Sequence, residues 1–280
     1  MKIFNDEFSS LVLSKSKTKK INKALFQKYK KKKINLLKNL NKNEVISYPD
    51  LREDLNLCIF LENELKDEII KLLPKKYLLN CSLQFPMNIR VHSKPISKKE
   101  GYNYSTNKIH SDVWSGAPLE SRNFVYYAFV KGNSSYCKLY KSLRGNKIAE
   151  KYRGSYNKNP FKINKKDEIK YKIQNGTLIS FDSMCPHQTY FPSKKHGIRL
   201  ALDFRVKFGN PYYYNNKLVS KNKFVFSKKG QPGLGYYWKF SKKKNKIFKD
   251  KINKEQTFAK SLSKKIYSLR NAYLKEKKYI

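Results

Sequence analysis

The chain has 280 residues, of which 39% are hydrophobic and 14% aromatic, enough for one substantial core and too many for a disordered polymer. Its formal net charge of +41 leaves two readings, a polyanion partner or a solvated basic surface. Only eight of its 62 basic residues are Arg, the better bidentate phosphate ligand, so the solvated surface is favoured and part of the charge reads as the codon bias of an AT-rich genome.

Along the chain, the start MKIFNDEFSS lacks a long apolar stretch, so no signal peptide is expected. Residues 16–40 place Ile21, Leu25, Tyr29, Leu36, Leu37 and Leu40 at mostly helical spacing among lysines, which predicts an amphipathic helix. A second helix is predicted over 61–73 and stopped by Pro74. From residue 77 the texture changes to short runs of Val, Ile, Tyr and Phe separated by turn residues. Strands are predicted at 78–84, 88–92, 110–114, 123–131, 136–142, 169–173, 177–182 and 198–207, with FVYYAFV, KGNSS and YCKLY forming a hairpin. Eight short strands at this spacing predict a jelly-roll sandwich or barrel. A turn-rich tail follows, then a Lys-rich stretch with Phe258, Leu262, Ile266, Leu269 and Tyr273 at helical spacing. The expected organisation is an N-terminal helical extension over 1–76, a β core over 77–208 and a turn-rich and helical C-terminal extension over 209–280. No apolar run reaches membrane-spanning length. Cys58, Cys81, Cys137 and Cys185 form no C-x-x-C, which argues against structural zinc and a disulfide framework. A cytoplasmic, reducing setting is expected.

The chemistry lies in a sparse set. The chain has four histidines. His110 and Asp112 stand in HSDVW, His187 follows far downstream in MCPHQT, and Arg199 opens GIRLALDFRV. Two imidazoles and one carboxylate in this order form a facial triad for non-haem Fe(II), with open positions for a chelating co-substrate and O2. On a strand, residues two apart face one side, so His110 and Asp112 are expected to reach one metal from one strand. Arg199 on a terminal strand would need a buried carboxylate partner, which the far end of a 2-oxo acid supplies. Arg205, six residues on, is expected on the same face, either assisting Arg199 or closing a salt bridge. His92 and His196 read as structural.

At these residues the chain resembles the Fe(II)/2-oxoglutarate-dependent oxygenases. The blocks that carry the likeness are QFPMNIRVHSKP, IHSDVWSG, GTLISFDSMCPHQT and RLALDFRV, within residues 84–207. They are most similar to a branch related to phytanoyl-CoA dioxygenases and named for streptomycin biosynthesis and sporadic carbohydrate clusters. The resemblance implies a double-stranded β-helix (jelly-roll, cupin-like) core with helical additions at both ends. It implies metal ligands at His110, Asp112 and His187 and a 2-oxoglutarate clamp at Arg199. Asn123 matches a polar position facing the site. Ala201 departs from the pattern, since many relatives carry Ser or Thr there against the same carboxylate.

The expected function is therefore a dioxygenase using Fe(II), 2-oxoglutarate and O2 to hydroxylate a small polar or carbohydrate-derived metabolite, anionic ones being favoured. Two alternatives stand beside it. One is a nucleic-acid demethylase of AlkB type, supported by the R-x5-R spacing of Arg199 and Arg205 and by the basic surface, though SFDSMCPHQT and RLALDFRV fit it less well. The other is a cupin-like binding protein without turnover.

Overall fold

The computed structural model describes residues 3–4, 7–31, 46–47, 55–73, 81–85, 87–92, 107–115, 121–151, 161–192, 197–208, 213–214, 217–218, 236–240 and 247–249. In chain order the elements are β1 (Ile3–Phe4), β2 (Phe8–Val12), α1 (Lys15–Lys31), β3 (Ile46–Ser47), α2 (Leu55–Leu72), β4 (Cys81–Phe85), β5 (Asn88–His92), β6 (Ser121–Lys131), β7 (Tyr136–Tyr140), α3 (Lys147–Lys151), β8 (Glu168–Ile169), β9 (Thr177–Asp182), β10 (His187–Tyr190), β11 (Ile198–Phe208), β12 (Tyr213–Tyr214), β13 (Lys217–Leu218), β14 (Tyr236–Phe240) and β15 (Ile247–Lys249). A major sheet runs β1-β2-β9-β6-β11-β4-β14-β15, with β5 pairing β11 and β3 pairing β5. A minor sheet runs β10-β7-β8, and β12 with β13 makes a separate ribbon. Major and minor sheets share one apolar interior, the double-stranded β-helix the sequence predicts.

Alternation along the long strands sets the layers. On β6, Val125 and Tyr127 point inward with Ile179 and Phe181 of β9, Ala201 of β11, and Cys137 and Leu139 of the minor sheet. Phe124 and Tyr126 point the other way, with Leu178, Leu200, Leu202, Phe204 and Val206. That outer face is covered by the helices. Ile21 and Leu25 of α1 and Leu61, Leu65, Ile69 and Leu72 of α2 are fully buried against it. Phe124 and Phe204 stack across β6 and β11, 5.3 Å between centroids. A register shift between Leu200 and Ala201, opposite Phe129 and Tyr127, keeps Arg199 and Ala201 on the same inward face as Tyr127.

Several predicted bounds move. Residues 88–92 and 177–182 form the predicted strands as they stand. Residues 169–173 pair only at Glu168–Ile169; Tyr171 and Ile173 still pack inward, and the Tyr171 hydroxyl bonds the Cys137 carbonyl in place of a ladder. The segment before residue 77 is not purely helical, because β1, β2 and β3 join the major sheet, with β2 lying along β9. α2 begins six residues before the predicted helix. Leu36, Leu37, Leu40, Pro74, the predicted C-terminal helix and His196 lie outside the described residues.

The largest correction concerns 110–114, which is not a strand. His110 makes one isolated bridge, and Asp112–Ser115 is a 3-10 turn. A strand would send Val113 and Trp114 to opposite faces. The turn buries both: Val113 against Ala149 and Met184, and Trp114 stacked on Phe161 at 5.1 Å.

Helices α1 and α2 are tied through Glu68, whose carboxylate accepts from Lys17 Nζ and Lys71 Nζ, both at 2.9 Å. Burial alone would raise this carboxyl, but the two ammonium groups outweigh it and hold it below its ordinary 4.5. A depressed carboxyl stabilises the fold above its ordinary value and loses that contribution as the pH falls. Glu68→Gln should therefore cost about 0.5–1 kcal/mol at pH 7. The gap between variant and wild type, read by urea unfolding at a series of pH values, should close as the pH drops below 4.5.

Candidate metal centre

Two segments remote in sequence are stitched together by their backbones. The His110 N–H donates to the His187 carbonyl at 2.9 Å, and the His187 N–H donates to the His110 carbonyl at 2.7 Å. The bridge sets the two imidazoles side by side, 4.3 Å between centroids. Ser111, fully buried, donates its hydroxyl to the Ser183 carbonyl at 2.8 Å and fastens the same segment to the turn before His187. After Ser111 the 3-10 turn swings Asp112 back over the rings.

Nδ1 of His110 lies 2.7 Å from the Lys108 carbonyl, and Nδ1 of His187 lies 3.0 Å from the Cys185 carbonyl. A carbonyl only accepts, so each Nδ1 carries a proton, and in the neutral ring the lone pair is then on Nε2. Asp112 Oδ1 is 3.9 Å from Nε2 of His110 and 3.8 Å from Nε2 of His187. The donor atoms of the three residues lie within 4.8 Å of one another. Two donors each about 2.1 Å from one ion stand at most about 4.2 Å apart, so one divalent ion fits both of the Asp112–imidazole spans.

The second oxygen of Asp112 is engaged elsewhere. Oδ2 accepts from Arg205 Nε at 3.1 Å and Nη2 at 2.5 Å, while Arg205 Nη1 donates to Gln84 Oε1 at 3.4 Å. Of the two roles expected for Arg205, the structure places it at the carboxylate of the triad rather than beside Arg199. The reason is length along β11: two inward positions, Ala201 and Asp203, separate the two arginines. Burial alone would raise the Asp112 carboxyl, but the Arg205 guanidinium, helped by His187 and His110, holds it below the usual carboxylate range. Burial, with His187 adding to it, pushes His110 down to about 3. The site thus presents two imidazoles, of which His110 is neutral, and an ionised carboxylate, the form of carboxylate a metal requires.

The triad lines a cavity of about 640 Å³, its open mouth included, together with Asn123, Cys137, Thr189, Arg199 and Arg205. Asn123 sits opposite Arg205 on β6, 4% exposed, and both its amide atoms lack a partner among the described residues. Arg199 is 3% exposed, and among the described residues no carboxylate pairs with it. Asp203, the nearest carboxylate on the same strand face, is taken by Arg90 and by Asn88 at 2.6 Å. A buried guanidinium without a counter-ion is costly, and an acid entering the cavity relieves it. Burial pushes the Cys137 thiol up to about 12, so it stands in the wall as a protonated apolar group and not as a ligand. Sequence reasoning missed the roles of Gln84, Ser111 and His92, which depend on partners remote in the chain; no spacing signals them.

Arg205→Met should destabilise the metal-free protein by about 3 kcal/mol, because it strands a buried carboxylate. In an Asp112→Asn background the same change should cost much less, a coupling that a double-mutant cycle of chemical denaturation measures.

The chain matches no family model and no curated protein. Among solved structures it is similar to ThoJ, described as a non-heme monooxygenase in a nickel complex, at 9% identity over 99% of this chain and 95% of that one, TM-score 0.48. It is also similar to HygX from Streptomyces hygroscopicus with nickel and 2-oxoglutarate bound, at 12% identity over 73% and 83%, TM-score 0.41. A third is EctD from S. alaskensis with 2-oxoglutarate and 5-hydroxyectoine, at 12% over 77% and 79%, TM-score 0.41. Identities this low carry no residue roles across.

Proposed function

We propose that the protein is an Fe(II)/2-oxoglutarate-dependent dioxygenase acting on a small polar, carbohydrate-derived metabolite. The observation that carries this is the His110–Asp112–His187 cluster, whose two Nε2 atoms and one carboxylate oxygen lie within 4.8 Å of one another in the lining of a cavity. Ferrous iron bound there would supply the O2 chemistry, with 2-oxoglutarate as the electron donor that leaves as succinate.

The chain's own residues do the positioning. The carbonyls of Lys108 and Cys185 fix the ring tautomers, and Arg205, by occupying one oxygen of Asp112, would leave the other for the ion. His110, Asp112 and His187 would hold the ion and leave room on it for a chelating co-substrate. Arg199 would take the far carboxylate of the co-substrate as a charge-assisted pair, which orients the 2-oxo end toward the metal. Asn123 offers a donor and an acceptor in the same cavity. The apolar wall of Val125, Phe181 and Cys137 limits water at the reacting centre. The polar lining of Arg90, Asn123, Thr189 and Asp203 supports a hydroxyl-bearing substrate over an apolar one.

Of the Arg199–Arg205 pair whose spacing also fits a nucleic-acid demethylase, Arg205 is engaged by Asp112 inside the cavity, and the co-substrate would engage Arg199. Among the described residues no helix is long and apolar enough to cross a membrane.

Anaerobic addition of Fe(II) and 2-oxoglutarate should produce a visible charge-transfer band that Asp112→Ala and His187→Ala both abolish. A wild-type protein that loads iron and shows no band overturns the proposal. Arg199→Met should raise KM for 2-oxoglutarate by about 30-fold or more, the lower end of what truncating one partner of a buried charge pair costs. Succinate formation in air separates turnover from mere binding.

A further inference from the structure

His92 and Arg199 are direct cross-strand partners on β5 and β11. Nη2 of Arg199 lies 2.6 Å from Nδ1 of His92. A guanidinium has donors only, so this contact requires a lone pair on Nδ1 and places the imidazole proton on Nε2. His92 is 3% exposed and its ring stacks on Phe191, 6.3 Å between centroids and 24° apart in plane. On its other side the Arg199 guanidinium lies over the Tyr127 ring, 5.8 Å from the centroid. Burial, with the charges of Arg199 and Arg90, holds the His92 imidazole well below its ordinary value. The guanidinium is thus gripped by one imidazole acceptor and one aromatic face, while its buried Nε has no partner among the described residues.

We propose that His92 is a positioning residue for Arg199: its Nδ1 takes one guanidinium N–H and turns the remaining donors toward the cavity, ready for the far carboxylate of the 2-oxo acid. The inference rests on the co-substrate reading above and deepens it. It also accounts for Ala201, which has no hydroxyl to offer the same carboxylate. Orientation comes instead from the neighbouring strand, where a ring nitrogen restrains the arginine and needs no contact with the acid.

Titration calorimetry of the Ni(II)-loaded protein tests this with two acids, 2-oxoglutarate and 2-oxobutyrate, which lacks the far carboxylate. His92→Phe keeps the ring stack and removes the acceptor. It should weaken 2-oxoglutarate by about tenfold, the scale of one hydrogen bond to a charged group. Affinity for 2-oxobutyrate and for Ni(II) should stay unchanged. His92→Asn, which presents an amide oxygen near the place of Nδ1, should recover most of the loss. In an Arg199→Met background His92→Phe should have no further effect. Unchanged 2-oxoglutarate affinity, or an equal loss for both acids, overturns the positioning role. A wild-type protein that does not bind 2-oxoglutarate at all instead overturns the co-substrate reading, and this inference with it. A readout that needs no variant to fold is the long-range nitrogen–proton spectrum of wild-type His92. It should show a neutral ring protonated at Nε2, and a proton on Nδ1 overturns the proposal.

Discussion

Everything at the site hangs on two reciprocal backbone hydrogen bonds between His110 and His187. They join a loop segment to the first residue of a minor-sheet strand, and so bring together two imidazoles that the chain keeps far apart. Backbone bonds suit this task because they fix both Cα positions and both side-chain directions at once. The Nδ1 contacts to the Lys108 and Cys185 carbonyls then restrain rotation of the rings. The Ser111–Ser183 bond and the burial of Val113 and Trp114 hold the same segment from its other end, so Asp112 has little freedom to leave the rings.

The second organising feature is a polar stripe on an otherwise apolar inner face. Gln84, Arg90, His92, Asn123, Arg199, Asp203 and Arg205 all stand on the inward side of the major sheet. Such a stripe destabilises a fold unless each group finds a partner. Most do: Arg205 has Asp112 and Gln84, Arg90 has Asp203, and Arg199 has His92. What remains unmatched among the described residues is the amide of Asn123 and the positive charge of Arg199. Those two groups mark where a polar, anionic molecule would complete the interior. The outer face carries none of this burden. There Ile21, Leu25, Leu61, Leu65 and Ile69 seal the sheet with hydrocarbon, which offsets the cost of the polar interior.

Legibility followed periodicity. The strands at 88–92, 177–182 and 198–206 send alternate residues to two packed faces, and the two helices carry a single apolar stripe, so both kinds of element are readable from one chain. The segment 110–114 misled because HSDVW has β-forming residues and a same-face H-x-D spacing. Its conformation was decided by burial of two adjacent large side chains, which no strand allows on one face. The short strands β2 and β10 were missed because each owes its existence to a partner, β9 and β7, and not to its own pattern.

The candidate donors were legible in one dimension: scarce histidines, an H-x-D pair and an arginine on a late strand are chemical facts that need no fold. Their division of labour was not. That one oxygen of Asp112 belongs to Arg205, that His92 grips Arg199, and that Asn123 lies unsatisfied beside the cavity are consequences of cross-strand register and loop closure. Register depends on how all the strands pack at once, and local sequence carries no record of which residue ends up opposite which.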